Sequence, residues 1–229
     1  MTTIAFNLQA VRSRIERAAA ACARRAADVS LLAVSKTCPA SYIEDAFGAG
    51  QKAFGESYAQ EAVKKITQLS HLGAEWHFIG PVQSNKTALI AEHFQWVHSI
   101  EREKIAVRLN AGRPQHLPPL QVCIQVNVSG EHSKSGVVPG EELALARCIA
   151  GLPRLRLRGL MAIPEPTPDE ALQRRRYARV RELGDALIAA GYPLGTLSMG
   201  MSDDLESAIA EGATLVRVGT AIFGRRETL

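Results

Sequence analysis

Hydrophobic positions in this chain fall into two alternating kinds of segment. Short, almost continuously apolar runs occupy 31–35, 53–56, 76–80, 96–100, 120–128, 157–163, 196–199 and 215–219. Such runs predict parallel strands covered on both faces, since half-exposed strands would alternate strictly. Between them, amphipathic segments near 41–49, 58–69, 84–93, 101–111, 140–151, 168–190 and 203–211 predict helices. A leading helix precedes them all, with Ile4, Leu8, Val11 and Ile15 at helical spacing. Thr167-Pro168-Asp169-Glu170 reads as the start of the longest helix, with Thr167 as N-cap and Glu170 completing a capping box. Leu172, Val180, Leu183 and Leu187 follow on one face, and Gly191 stops it. Asp203 with Glu206 marks a second helix start.

Eight strands, seven intervening helices and a leading helix fit an α/β chain folded as a single (β/α)8 TIM-type barrel with an extra N-terminal helix. A doubly wound open sheet gives the same alternation, so periodicity alone leaves both architectures open. No linker-like stretch divides the chain. The Pro- and Gly-containing segment 112–119 reads as a loop, and residues 1–229 are expected to form one domain.

Composition narrows the function classes. With 229 residues, 46% hydrophobic, 22% charged and a mean hydropathy of −0.03, disorder, collagen and membrane-spanning classes drop out. The net charge of +4, carried by 20 Arg and 7 Lys, is too weak to argue for nucleic acid. The basic run Arg174, Arg175, Arg176, Arg179 and Arg181 has no aromatic platform beside it and reads as a solvated helix face. Cys22, Cys38, Cys123 and Cys148 lack metal or disulfide spacing and read as thiols in a reducing compartment. Arg12, Arg14, Arg17, Arg24 and Arg25 interrupt every apolar stretch near the start, so no secretory signal forms there. The six histidines show no metal-ligand spacing. The expectation is a cytoplasmic protein with no metal, membrane or nucleic-acid partner.

In a barrel, chemistry belongs at the carboxyl ends of the strands. Strand one runs into Ser35-Lys36. A lysine held at an apolar barrel mouth loses hydration, and its free amine becomes available to form an imine with an aldehyde. The competing reading is a lysine that snorkels to solvent. Arg217 lies in the otherwise apolar strand Leu215-Val216-Arg217-Val218. A guanidinium facing the interior requires either a ligand or a structural ion pair. Ser198-Met199-Gly200-Met201-Ser202 leaves strand seven towards a helix start, and Gly219-Thr220 leaves strand eight. These are the loops where barrels often hold phosphate, though ordinary turns favour the same residues. A lysine amine, a phosphate cradle and an interior arginine together describe a phosphorylated aldehyde, and pyridoxal 5'-phosphate (PLP) is the cofactor with those features.

The chain resembles the pyridoxal phosphate homeostasis proteins, the proline synthase co-transcribed family, which are single-domain relatives of the alanine racemase barrel. The matching stretches run from Leu32-Ala33-Val34-Ser35-Lys36, Phe54-Gly55-Glu56 and His77-Phe78-Ile79-Gly80 with Gln83-Ser84-Asn85-Lys86, through Asn127 with Ser133-Lys134-Ser135-Gly136 and Gly159-Leu160-Met161, to Ser198-Met199-Gly200-Met201-Ser202 and 217–224. The resemblance implies that Lys36 carries the cofactor as an aldimine. It implies phosphate contacts from Ser198, Met199, Gly200, Ser202, Gly219 and Thr220, with Arg217 near the pyridine nitrogen. His77, Asn127 and Met161 complete the implied cofactor site. Ser57 stands where the family usually has asparagine, which puts a contact from that position in doubt.

Three functions fit these residues: a PLP carrier acting in cofactor homeostasis, a PLP-dependent amino-acid racemase or decarboxylase, and a Schiff-base aldolase acting on a sugar phosphate. The resembling enzymes carry a second domain and a partner-subunit tyrosine, whereas Leu229 ends this chain directly after the barrel. No catalytic residue is therefore assigned. The expected partners are the cofactor and, transiently, apo-enzymes that need PLP, with the protein itself a monomer.

Overall fold

A computed structural model describes residues 2–130 and 135–224. Eight parallel strands close into a barrel in chain order, β1 (Ser30–Val34), β2 (Ala53–Glu56), β3 (Glu75–Phe78), β4 (Trp96–Ile100), β5 (Leu120–Gln125), β6 (Leu155–Met161), β7 (Thr196–Ser198) and β8 (Leu215–Val218). Pairing of β1 with β8 closes it, with Leu32 opposite Arg217. That closure decides between the two architectures left open by periodicity.

The helices are α1 (Thr3–Ala21), α2 (Ala40–Gly48), α3 (Ala59–Gln68), α4 (Thr87–His93), α5 (Glu103–Gly112), α6 (Glu142–Ala150), α7 (Glu170–Ala189), α8 (Leu205–Ala210) and the short α9 (Thr220–Phe223). The expected strands and helices appear within a few residues of their predicted bounds, as local periodicity allows. Among the described residues no helix is long and apolar enough to cross a membrane, and no cluster of His, Cys, Asp and Glu could hold a metal ion. Ser133 and Lys134 of the resembling motif lie outside the described residues.

Alternation along the strands separates two layers. Ala33, Phe54, Phe78, Val97, Ile124, Leu160, Val216 and Val218 point outwards into the core beneath the helices. Leu32, Val34, Cys123, Met161 and Leu215 are buried separately from that core, inside the barrel. At Gly159 the backbones of β6 and β7 approach so closely that a Cβ would sit 1.7 Å from the Thr196 carbonyl oxygen. The α1 face of Ile4, Leu8, Val11 and Ile15 is buried as predicted. Each such side chain contributes about 1.5–3 kcal/mol by leaving water.

Two helix starts differ from expectation. Asp169, not Thr167, caps α7, its carboxylate accepting from Leu172 N–H at 3.1 Å. A carboxylate is the stronger acceptor, and the Thr167 hydroxyl instead accepts from Asp169 N–H. At α8 the N-cap is Asp204. Its side chain accepts from Met201 N–H at 2.6 Å and from the Tyr177 hydroxyl at 2.7 Å. The basic run on α7 is largely a solvated face as expected, with Arg174, Arg175 and Arg179 exposed, though several of its members are ion-paired. Arg174 and Arg181 both pair with Glu211, and Arg176 pairs with Glu165.

Candidate functional site

The carboxyl ends of the strands open onto a cavity of about 460 Å³. Lys36, two residues beyond β1, lines it with Val34 and lies half-buried. Ser57 and Ile79 line it from the loops after β2 and β3. Met201, Ser202 and Asp203 follow β7, and Gly219, Thr220 and Ala221 follow β8. Arg217 reaches it from inside the barrel, and Arg14 of α1 closes one side.

The lysine side is built on buried charge. Lys65 of α3 is buried and donates to the Ser35 carbonyl at 2.8 Å, Glu56 Oε1 at 2.9 Å and Glu61 Oε1 at 2.6 Å. An ammonium has three donors, so this set saturates it. Ser35 Oγ also donates to Glu56 Oε1 at 2.7 Å, while buried Glu56 Oε2 has no partner among the described residues. Burial pushes the Glu56 carboxyl up from its ordinary value, with Lys65 opposing the shift. Glu61 reaches past Lys65 to accept from Thr37 N–H at 2.7 Å. Thr37, directly after Lys36, sits at φ +62, in the left-handed region that costs a residue with a Cβ about 1–2 kcal/mol. The turn carrying Lys36 is held from below by α3 against its own strain.

The arginine side differs in kind. Arg217 is 3% exposed, and among the described residues no carboxylate pairs with it. Its Nη1 donates to the Ser198 carbonyl at 2.5 Å and Ser198 Oγ at 2.7 Å, and Nη2 donates to the Ala162 carbonyl at 2.8 Å. A guanidinium has five N–H donors, so donors remain for a ligand in the cavity. The interior-arginine alternative of a structural ion pair is thereby disfavoured.

The β7 and β8 loops form the third part. Gly219 precedes the first turn of α9, whose leading N–H groups have no intrahelical partner. Gly200 sits at φ +93, and a Cβ there would fall 2.5 Å from Ala208 Cβ. Its carbonyl accepts from Arg217 N–H at 2.9 Å, which fixes the loop to β8. From α1, Arg14 donates to the Ser202 carbonyl at 2.9 Å while pairing with Glu206, and Asn7 donates to the Ile222 carbonyl at 2.9 Å.

Comparison with known proteins places the chain in a family. The family described as alanine racemase, N-terminal domain, matches residues 6–227. A pyridoxal phosphate homeostasis protein of Pseudomonas aeruginosa is 60% identical over 99% of this chain and 97% of its own length. The chain belongs to this family. PipY of Synechococcus elongatus PCC7942, solved with PLP bound, superposes with a TM-score of 0.84 at 35% identity, covering 96% of this chain and all of PipY (100%). An alanine racemase of Corynebacterium glutamicum shares the fold at 19% identity and a TM-score of 0.68, over 98% of this chain and 60% of the racemase.

Of the residues expected at the site, Lys36, Ser202, Arg217, Gly219 and Thr220 come together around the cavity. The other residues expected there are placed differently. Ser198, fully buried, holds Arg217. Met199 belongs to the outer core, its N–H donating to the Leu215 carbonyl. Gly200 shapes the loop, and Met161 fills the barrel interior. Asn127 is half-buried after β5, its N–H donating to the Val137 carbonyl. His77 lies inside the barrel and lines a cavity at the opposite, amino-terminal end. It faces the interior and turns down the barrel, its ring meeting Glu75 at the start of the same strand. Sequence reasoning missed Arg14, Lys65, Glu61 and His98, whose roles come from contacts between distant segments. Interior-facing histidines at 77 and 98 were the available signal for the last.

Proposed function

We propose that this protein binds PLP through Lys36 and carries it in the cytoplasm as part of cofactor homeostasis, without robust turnover of its own. The convergence of Lys36, Arg217 and the Ser202, Gly219 and Thr220 segments on one cavity carries this reading. The donor set fits the cofactor: an amine for its aldehyde, N–H groups at a helical turn for its phosphate, and an arginine with spare donors for its ring nitrogen. When bound, PLP supplies a reactive aldehyde and an electron sink. Arg217, always charged, would keep the ring nitrogen unprotonated and the sink weak. PLP bound to PipY, and the homeostasis name of the Pseudomonas relative, support the same assignment.

Carriage is favoured over racemisation or decarboxylation by what the cavity offers. Racemisation needs a proton donor and an acceptor on opposite faces of the reacting carbon. Among the described lining residues, Lys36 and the exposed Asp203 are the acid–base groups, and no tyrosine or histidine joins them. The mouth is also open to water, which suits exchange better than protected chemistry. The aldolase reading gives Arg217 no role. We further propose a monomeric carrier that meets apo-enzymes transiently.

Purified protein should be yellow, and borohydride should fix the cofactor on the peptide containing Lys36. Lys36→Ala should abolish that label, and recovery only on another lysine would sink the assignment. Loaded protein mixed with a PLP-requiring apo-enzyme should restore activity. Amino-acid turnover of roughly 1 s⁻¹ or more, lost in Lys36→Ala, would replace the carrier reading with an enzyme.

A further inference from the structure

One unbroken line of polar groups runs through the barrel interior. Arg217 Nη1 donates to Ser198 Oγ at 2.7 Å, and Ser198 Oγ lies 2.8 Å from His98 Nδ1. His98 Nε2 lies 2.9 Å from His77 Nδ1, and His77 Nε2 lies 2.7 Å from Glu75 Oε1. Ser198, His98 and His77 are all buried, while the Glu75 side chain is half exposed. Glu75 and His77 line the cavity at the amino-terminal end, so the line crosses the barrel from one end towards the other.

Its two ends fix the direction of every link. A guanidinium can only donate, and an ionised carboxylate can only accept. His77 holds the Glu75 carboxyl below its ordinary value, so Glu75 accepts and His77 Nε2 carries a proton. Burial pushes both imidazoles down, His98 well down with the Arg217 cation opposing its charge, a direction that favours neutral rings. A neutral ring protonated at Nε2 accepts at Nδ1. His98 Nε2–H therefore donates to His77, and the Ser198 hydroxyl donates to His98 Nδ1. Each group turns a lone pair towards Arg217 and a proton towards Glu75. These aligned dipoles stabilise the cation at one end and the anion at the other, where direct contact is absent.

We propose that Ser198, His98, His77 and Glu75 form a directional hydrogen-bond chain that positions Arg217 and fixes it as a donor to the cofactor's ring nitrogen. The last clause rests on the PLP reading, whereas the direction of the chain rests on the protein alone. The chain residues act through Arg217 and are positioning residues. Trp96 stacks on His77, Cys123 lies near Arg217, and the Tyr177–Asp204 pair is the remaining charged neighbour of the guanidinium.

Two measurements separate the claims. Nitrogen-15 NMR of histidine-labelled apo protein at pH 7 should find both buried rings neutral and protonated at Nε2. A doubly protonated or Nδ1-protonated ring at either position would overturn the chain, whatever the cofactor does. Dialysis against PLP and absorbance spectra across pH would then compare wild type, His98→Phe, Glu75→Gln and Lys64→Ala. His98→Phe should weaken PLP binding about tenfold, the scale of a lost hydrogen bond to a charged group, and shift the spectral pH profile. Glu75→Gln, which keeps an acceptor but removes the charge, should shift the profile the same way by less, and Lys64→Ala should change neither. Wild-type affinity and profile in folded His98→Phe or in Glu75→Gln would overturn positioning. If His98→Phe does not fold, the half-exposed Glu75→Gln decides. Absence of PLP from the wild type would instead defeat the cofactor reading and leave the NMR result standing.

Discussion

The two sides of the barrel mouth bury polar groups in opposite ways. Behind Lys36, formal charges meet directly: Lys65 contacts Glu56 and Glu61. Behind Arg217, the charges stand apart and three neutral groups span the gap. Among the described residues direct pairing leaves Glu56 Oε2 without a partner, and burial pushes its carboxyl up from the ordinary value. In the chain behind Arg217, burial pushes both histidines down from their ordinary value. Lys36 is thus supported by a strained turn over a buried charge cluster, and Arg217 by a line of hydrogen bonds.

The largest effect should come from breaking the charged side. Lys65→Met strands Glu56 and Glu61 beside buried backbone, and removal of one partner from a buried pair costs about 3–5 kcal/mol. Urea unfolding measures it, and a loss under 1 kcal/mol would mean the cluster is more hydrated than its burial implies. Ser198→Ala on the other side should cost less, about 1–3 kcal/mol, because Arg217 keeps two carbonyl acceptors. Equal losses for the two variants would erase the distinction drawn here.

A change of opposite sign tests the strain. Thr37→Gly should remove about 1–2 kcal/mol of left-handed backbone cost, partly offset by added chain entropy. Raised thermal stability with weaker retention of PLP would show that the strain holds Lys36 in place. The mildest expectation concerns pH. A carboxyl whose folded value lies above its unfolded value binds extra protons when folded, so its stabilising contribution is present below the ordinary value and is lost as pH rises through the folded one. Glu56→Gln should therefore gain on wild type as pH climbs from about 4.5, and identical slopes would place Glu56 at its ordinary value.

Much of this contrast was hidden in the sequence, for a physical reason. Strand and helix positions were legible because they follow local periodicity, and Lys36 and Arg217 stood out as charges in apolar strands. The residues behind them did not. Lys65 reads as one of two adjacent lysines on an amphipathic helix until α3 is laid against β1 and β2. His98 meets Ser198 across 100 residues, and Arg14 meets Glu206 across 192. Sequence periodicity reports which face a residue takes, whereas closure of the barrel decides whom it meets there. The cap at Asp169 was a smaller case, in which two adjacent acceptors competed and the carboxylate won.

The pairing of β1 with β8 has a consequence for biosynthesis. Lys36 leaves the ribosome early, but its cavity has no second half until Arg217, Gly219 and Thr220 follow. At roughly 5–20 residues per second, those 181 residues (217 − 36) take about 10–40 seconds to translate. Throughout that interval α1 also waits for α8 and α9, the segments that its Arg14 and Asn7 will grip. The nascent chain therefore carries an exposed amine without a pocket, and the cavity forms only once β8 and the loop after it are made. A small molecule could rescue a completed barrel from unfolding, but it has nothing to hold while the barrel is being made.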